Sequence, residues 1–151
     1  MIRKIFVTKL GLEKLQQEHR QLTEKRREAV ANLKTAREMG DLSENDAYKV
    51  ARFKLSSVDS RLRFLTRILR QAEVKEKPRD GRIGIGSNIQ LEVDGRTVNY
   101  EIVGSVESDL INGKLSVSSP VGRNLMGGRV GDQVKVVTPQ GEKYYKIIQI
   151  S

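Results

Sequence analysis

Two apolar series mirror each other about Leu42. On its amino side, positions alternating by three and four fall at Leu12, Leu15, His19, Leu22, Arg26, Ala29, Leu33 and Ala36. On its carboxyl side they fall at Tyr48, Ala51, Leu55, Val58, Leu62, Leu65, Leu69 and Ala72. That spacing is the seam of a coiled coil. Folded back antiparallel, Leu33 meets Ala51, Leu22 meets Leu62 and Leu15 meets Leu69, each couple equidistant from Leu42. The spacing therefore predicts a two-helix hairpin with Gly40-Asp41-Leu42-Ser43-Glu44-Asn45-Asp46 at its tip. Thr8 offers an N-cap for the first helix, which runs to about Met39, where Gly40 supplies a stop. Gly11 weakens its first turn. The second helix is expected to begin at Asp41 or Ser43 and to fade near 72–74. At 1.5 Å per residue each arm is roughly 40–45 Å long, a reaching device rather than a pocket.

Beyond Lys75-Glu76-Lys77-Pro78-Arg79-Asp80-Gly81 the period changes from helical to alternating. Ile89–Val93, an Asp94-Gly95 turn and Val98–Val103 read as a hairpin. Further strands are expected at Leu115–Val117, Val134–Val137 and Tyr144–Ile148, with a turn at Thr138-Pro139-Gln140-Gly141. A short helix with Ser119 as cap, Pro120 at its start and Gly127 at its end lies between them. Ile5-Phe6-Val7 reads as a short strand ahead of the first helix. The fold class is α+β: an antiparallel coiled-coil hairpin (1–76, acidic tip 40–46), a linker (77–83), and an antiparallel sheet with a short helix (84–151).

The chain of 151 residues contains no cysteine, which removes disulfides, thiolate metal sites and cysteine nucleophiles. No apolar run approaches the roughly 20 residues of a membrane span, and the apolar part of Met1–Val7 is too short for a signal peptide. A cytoplasmic location is expected. The net charge of +9 is concentrated: residues 1–80 hold 20 Lys and Arg against 12 Asp and Glu, the remainder 8 against 7. A solvated helix face collects charge in this way; so does a surface that meets a polyanion such as nucleic acid.

At the tip, Asp41 with Glu44, and Ser43 with Asp46, have the spacing of capping pairs, and carboxylates there complement the helix dipole. The alternative is a hard-cation site. Mg²⁺ takes oxygen ligands and often only one or two carboxylates from any one protein. A tip cannot cage a metal alone, so on that reading the chain donates ligands to another protein's centre. Arg37, Lys49 and Arg52 lie within about two turns of the tip, placed to face a phosphate backbone or simply solvent. His19 and Arg26 fall on the seam and read as structural, Arg26 opposite Val58. Gly81-Arg82-Ile83-Gly84-Ile85-Gly86 fails the dinucleotide spacing and precedes a strand. Ser116, Ser118 and Ser119 have no histidine near them in sequence, against a hydrolase triad.

Gly40-Asp41-Leu42-Ser43-Glu44-Asn45, followed by Tyr48, resembles the tip of the bacterial Gre transcript-cleavage factors, GreA and GreB. The resemblance continues through Ser118-Ser119-Pro120-Val121-Gly122-Arg123, Val130-Gly131-Asp132 and Thr138-Pro139-Gln140-Gly141-Glu142, covering essentially the whole chain. It implies an FKBP-like second domain docking on bacterial RNA polymerase, and a coiled coil entering the secondary channel. Asp41 and Glu44 are then implied to help hold the second Mg²⁺ and its attacking water, with Ser43 assisting. Arg37, Arg52 and Lys49 would form a basic patch for the extruded RNA 3′ end. The factor is expected to bind no cofactor stably alone, to function as a monomer, and to stimulate the polymerase's own cleavage of backtracked RNA without being an enzyme. Arg61-Leu62-Arg63-Phe64-Leu65 looks more GreB-like, and Leu42 with Leu115-Ser116-Val117-Ser118 more GreA-like. Three competing readings stay open: a non-cleaving channel regulator of the same family, a prolyl isomerase or chaperone, and a generic RNA-binding coiled coil.

Overall fold

The computed structural model describes residues 3–41 and 44–151. They divide into two compact units: Leu12–Gln71, and a second assembled from residues up to Gly11 together with Ala72–Ser151. The sequence division at 76 and 84 places the lead and residues 72–76 with the hairpin. Their grouping with the sheet unit follows from a parallel pairing of β1 (Ile5–Val7) with β2 (Ala72–Val74), Ile5 opposite Ala72. β2 continues directly from a helix, and its three residues are too few to show a period of their own.

The first unit is an antiparallel helical hairpin. Helix α1 spans Lys9–Arg37 and α2 spans Asp46–Gln71, so the first arm stops short of the expected Met39, and the second starts later than Asp41 or Ser43 and ends just before 72–74. Every seam position from Leu12 to Leu69 is buried or half-buried except Arg26. Leu65 and Ile68 are almost fully enclosed; Ile68 lies off the seam deduced from spacing, which widens the apolar stripe at the base of α2. His19 Nε2 meets Thr66 Oγ1 at 3.2 Å and Arg26 Nε meets Asp59 Oδ1 at 2.5 Å. Both cross-helix couples are centred on the 42–43 peptide, as an antiparallel fold-back about Leu42 requires. Arg26 thus stands beside Val58's neighbour, and its guanidinium leaves the seam to find an acid.

In the second unit five strands form one sheet in the order β5-β4-β3-β7-β6: β3 Asn88–Val93, β4 Arg96–Val103, β5 Lys114–Ser116, β6 Gln133–Thr138 and β7 Gly141–Ile150. The β3–β4 turn is Asp94-Gly95 with φ of 51° and 72°, the left-handed pair that a two-residue hairpin requires. All neighbours are antiparallel except β4 and β5, which run parallel, Ile102 opposite Leu115. The intervening residues 104–113 cross over through two 3-10 turns, so the expectation of a wholly antiparallel sheet is corrected there. Alternating residues of one face, Ile89, Leu91, Ile102 and Ile147, join Ile83, Leu115 and Leu125 in the core. Helix α3, Pro120–Leu125, delivers Leu125; Ser119 Oγ accepts its Gly122 N–H at 3.0 Å. Ser116, Ser118 and Ser119 spend their hydroxyls on one another and on this cap, a structural use.

The lead is fixed by Glu107. Its carboxylate accepts the N–H groups of Thr8 and Gly104, each at 3.0 Å, and the Thr8 hydroxyl. Thr8 Oγ1 in turn accepts Gly11 N–H at 3.0 Å, the cap anticipated for α1. A Cβ on Gly11 would fall 1.7 Å from Glu107 Oε1, which explains a helix-weakening glycine in the first turn.

Candidate functional site at the hairpin tip

The helices end at the tip for identifiable reasons. Beyond Arg37 the Glu38 N–H is shared between Lys34 and Thr35 carbonyls, both at 3.2 Å, and Met39 N–H reaches Ala36 O, so the last turn tightens. Gly40 then takes φ 125°, a conformation that L side chains avoid. On the other arm Asn45 occupies the cap position of α2, its Oδ1 accepting Tyr48 N–H at 3.0 Å. Its Nδ2 donates to Ala36 O at 2.6 Å, a second hydrogen bond to the carbonyl that Met39 N–H already reaches at the end of α1. One carboxamide therefore closes both helices. The pair of Asp41 with Glu44 read from spacing does not start α2, because the helix begins two residues after Glu44; the pair of Ser43 with Asp46 lies partly outside the described residues. Asn45 was overlooked because an acid at every neighbouring position offers the same capping chemistry.

Asp41 and Glu44 are both exposed at the turn. Ser43 lies outside the described residues. Among the described residues no group of three or more His, Asp or Glu stands together as a complete metal site. Two exposed carboxylates on a turn fit the chemistry of a hard cation whose remaining ligands come from elsewhere.

The basic residues are ordered around Tyr48. The Arg37 guanidinium lies 5.9 Å from the Tyr48 ring centroid, a contact between the two arms. Lys49 and Arg52 follow on α2, Arg52 four residues after Tyr48 and so one turn further along the same side. All three cations are exposed, and none has an ion-pair partner among the described residues. The flank formed by Ala29, Ala36, Met39, Ala47, Val50 and Ala51 is instead an apolar groove of about 490 Å³, with Met39 69% and Val50 67% exposed. Met39 and Val50 fall outside the seam, and the mirrored pattern gave no reason to single them out.

A long helical hairpin with acids at its turn, joined in one chain to a five-stranded sheet unit, is the architecture of a two-domain transcription elongation factor. Residues 5–74 match the N-terminal domain of such factors, and residues 77–151 the GreA/GreB C-terminal domain. The chain is 43% identical to transcription elongation factor GreA of Paracoccus denitrificans over 97% of each chain. It is 38% identical to the GreA of Thermomicrobium roseum, again over 97% of each. The solved structure of the transcription factor Gfh1 aligns over 99% of both chains at 30% identity, with a TM-score of 0.50. The chain belongs to the GreA/GreB family of transcription elongation factors.

Among the described residues no helix is long and apolar enough to cross a membrane.

Proposed function

We infer that this factor binds bacterial RNA polymerase, inserts its hairpin through the secondary channel and stimulates the polymerase's intrinsic cleavage of backtracked RNA. The observation that carries the reading is the exposure of Asp41 and Glu44 at a turn that a neighbouring asparagine already caps. Exposed carboxylates displayed at the end of a basic rod suit delivery to a metal centre in another protein.

Asp41 and Glu44 would share a Mg²⁺ held mainly by the polymerase. Bound there, the ion supplies charge stabilisation and a more acidic water for phosphodiester hydrolysis. The factor's own contribution is placement. Two helices zipped over about 40 Å hold the turn at a fixed distance from the hairpin base. Arg37, Lys49 and Arg52 contact the extruded RNA 3′ end, Arg37 steadied by Tyr48. Ser43 assists in positioning. The sheet unit docks on the rim of the channel, and the protein acts in the cytoplasm as a monomeric accessory factor without activity of its own.

Purified backtracked polymerase complexes test this directly. Added protein should shorten the transcript from its 3′ end in the presence of Mg²⁺ and not in its absence. Binding to polymerase without shortening would leave the non-cleaving channel regulator as the answer.

A further inference from the structure

Two adjoining hollows on the sheet unit share one acid, Glu101. The first, of about 320 Å³, lies over residues that alternate away from the core. Gln90 on β3 stands opposite Asn99 on β4, and a register shift brings Gln149 on β7 opposite Gln90 from the other side. One step along, Asn88 stands opposite Glu101. Among the described residues the carboxamides of Asn88, Gln90, Asn99 and Gln149 have no hydrogen-bond partner. Neither Lys nor Arg lines this hollow.

The second hollow, of about 390 Å³, sets Lys9, Lys75, Lys77 and Arg79 against Glu76 and Glu101, all within the sheet unit. Neighbouring cations are already engaged, Lys4 by Glu73 at 3.0 Å and Arg82 by Asp80 at 3.8 Å. Among the described residues no acid pairs with Lys9, Lys75, Lys77 or Arg79. The glycines that fail the dinucleotide spacing seat the linker carrying two of these cations. A Cβ on Gly84 would fall 2.5 Å from Pro78 Cγ, and one on Gly86, whose φ is 94°, would fall 3.3 Å from the Lys77 nitrogen. Close backbone packing therefore holds the linker on either side of Pro78 against the sheet unit.

We propose that the two hollows together form a site for a free nucleoside triphosphate. Its phosphates lie among Lys9, Lys75, Lys77 and Arg79, where several unpaired cations meet several anions. Its base meets the carboxamides, each of which can both donate and accept. Glu101, common to both hollows, accepts from the ribose hydroxyls, the use an acid has in dinucleotide sites. Asn99 stands two residues from Glu101 along β4, about 7 Å, which is the reach of a base beyond its ribose. Cations at one end and neutral hydrogen-bonding groups at the other match a ligand whose charge is gathered at one end. A polynucleotide repeats its phosphates, and would set some of them against Glu101 and a hollow without cations. Each hollow is at the lower end of the roughly 300–1,000 Å³ of small-ligand sites, and a nucleotide needs both.

The test is equilibrium dialysis of the full chain against ATP, GTP, CTP and UTP, with no polymerase present, so it is independent of the cleavage reading. Saturable binding of at least one of them, with Kd below about 1 mM, is expected. Lys77→Gln with Arg79→Gln should weaken that binding about ten-fold or more. Asn99→Ala with Gln149→Ala should weaken the nucleotide about as much and leave inorganic triphosphate unaffected. Glu101→Gln should reduce the preference for the ribonucleotide over its 2′,3′-dideoxy form, while inorganic triphosphate binds more tightly beside one acid fewer. Circular dichroism should match the parent in every variant, because none of these side chains has a partner to lose. Failure of all four nucleotides to saturate the protein would overturn the proposal. Equal affinity of the parent for inorganic triphosphate and for the nucleotides would do the same, marking a cationic surface without a base site. Displacement by single-stranded RNA at a lower phosphate concentration than by the nucleotide would overturn it in favour of a polynucleotide surface.

Discussion

Arg26 and Asp59 meet across the hairpin at 2.5 Å, and they do so at the one seam position that the apolar pattern leaves exposed. The pair is half in solvent, so its contribution to stability is small; its use is to disfavour slippage of one arm along the other. Moving α2 by one heptad would bring Arg52 or Thr66 to the place of Asp59 and deprive the Arg26 guanidinium of its acid. Replacing Arg26 and Asp59 singly and together with alanine should give a coupling energy of about 0.5–1 kcal/mol in urea unfolding of the full chain. Coupling near zero, with both single variants as stable as the double, would show that packing alone fixes the register.

The hairpin was legible because its seam residues report burial directly. Leu15, Val58 and Leu65 were placed correctly by spacing, as were the Thr8 and Ser119 caps, whose hydroxyls need only a donor three residues on. The sheet's antiparallel pairs were legible for the same reason, alternation plus turn residues at Asp94-Gly95 and Pro139-Gln140. Non-local partners were not. Glu107 and Thr8 are 99 residues apart, and nothing in either neighbourhood announces the other. Asn45 was hidden among acids of equal capping ability.

Asp41→Ala and Glu44→Ala should each abolish stimulated transcript cleavage while retaining polymerase binding. Neither carboxylate starts α2, so helix content should stay within error of the parent by circular dichroism. A variant that keeps activity in proportion to its folded fraction would show the carboxylate to be structural.

Asn45→Ala removes two hydrogen bonds at once, one to each arm. The cap alone is worth about 0.5–2 kcal/mol, and its loss is confined to the first turn of α2. Hydrogen exchange should quicken at Tyr48 and Lys49 and leave the base of the hairpin protected. Cleavage stimulation should fall with polymerase binding preserved, because the turn carrying the acids is no longer held. Asn45→Asp keeps the acceptor and loses the donor to Ala36, and should lie between the two.

The apolar flank of the tip predicts a contact with protein rather than RNA. Met39→Ser with Val50→Ser should change stability by no more than about 0.5 kcal/mol, as both side chains are mostly exposed. Weaker binding to polymerase, with unchanged affinity for free RNA, is the expected result. Equal losses for both ligands would contradict an apolar docking role.

Glu107→Ala should be the most damaging single change in the sheet unit. It leaves the Thr8 and Gly104 N–H groups without an acceptor in a part-buried site, at about 1–3 kcal/mol for each. It also removes the partner that orients the Thr8 hydroxyl towards Gly11. The expected signature is faster exchange at Thr8, Gly11 and Gly104, and loosening of β1 against β2, with β3, β7 and β6 still protected. Glu107→Gln retains one carbonyl acceptor and should restore roughly half of the loss. If the alanine variant exchanged like the parent at Thr8 and Gly104, the carboxylate would not be what ties the lead to the crossover between β4 and β5.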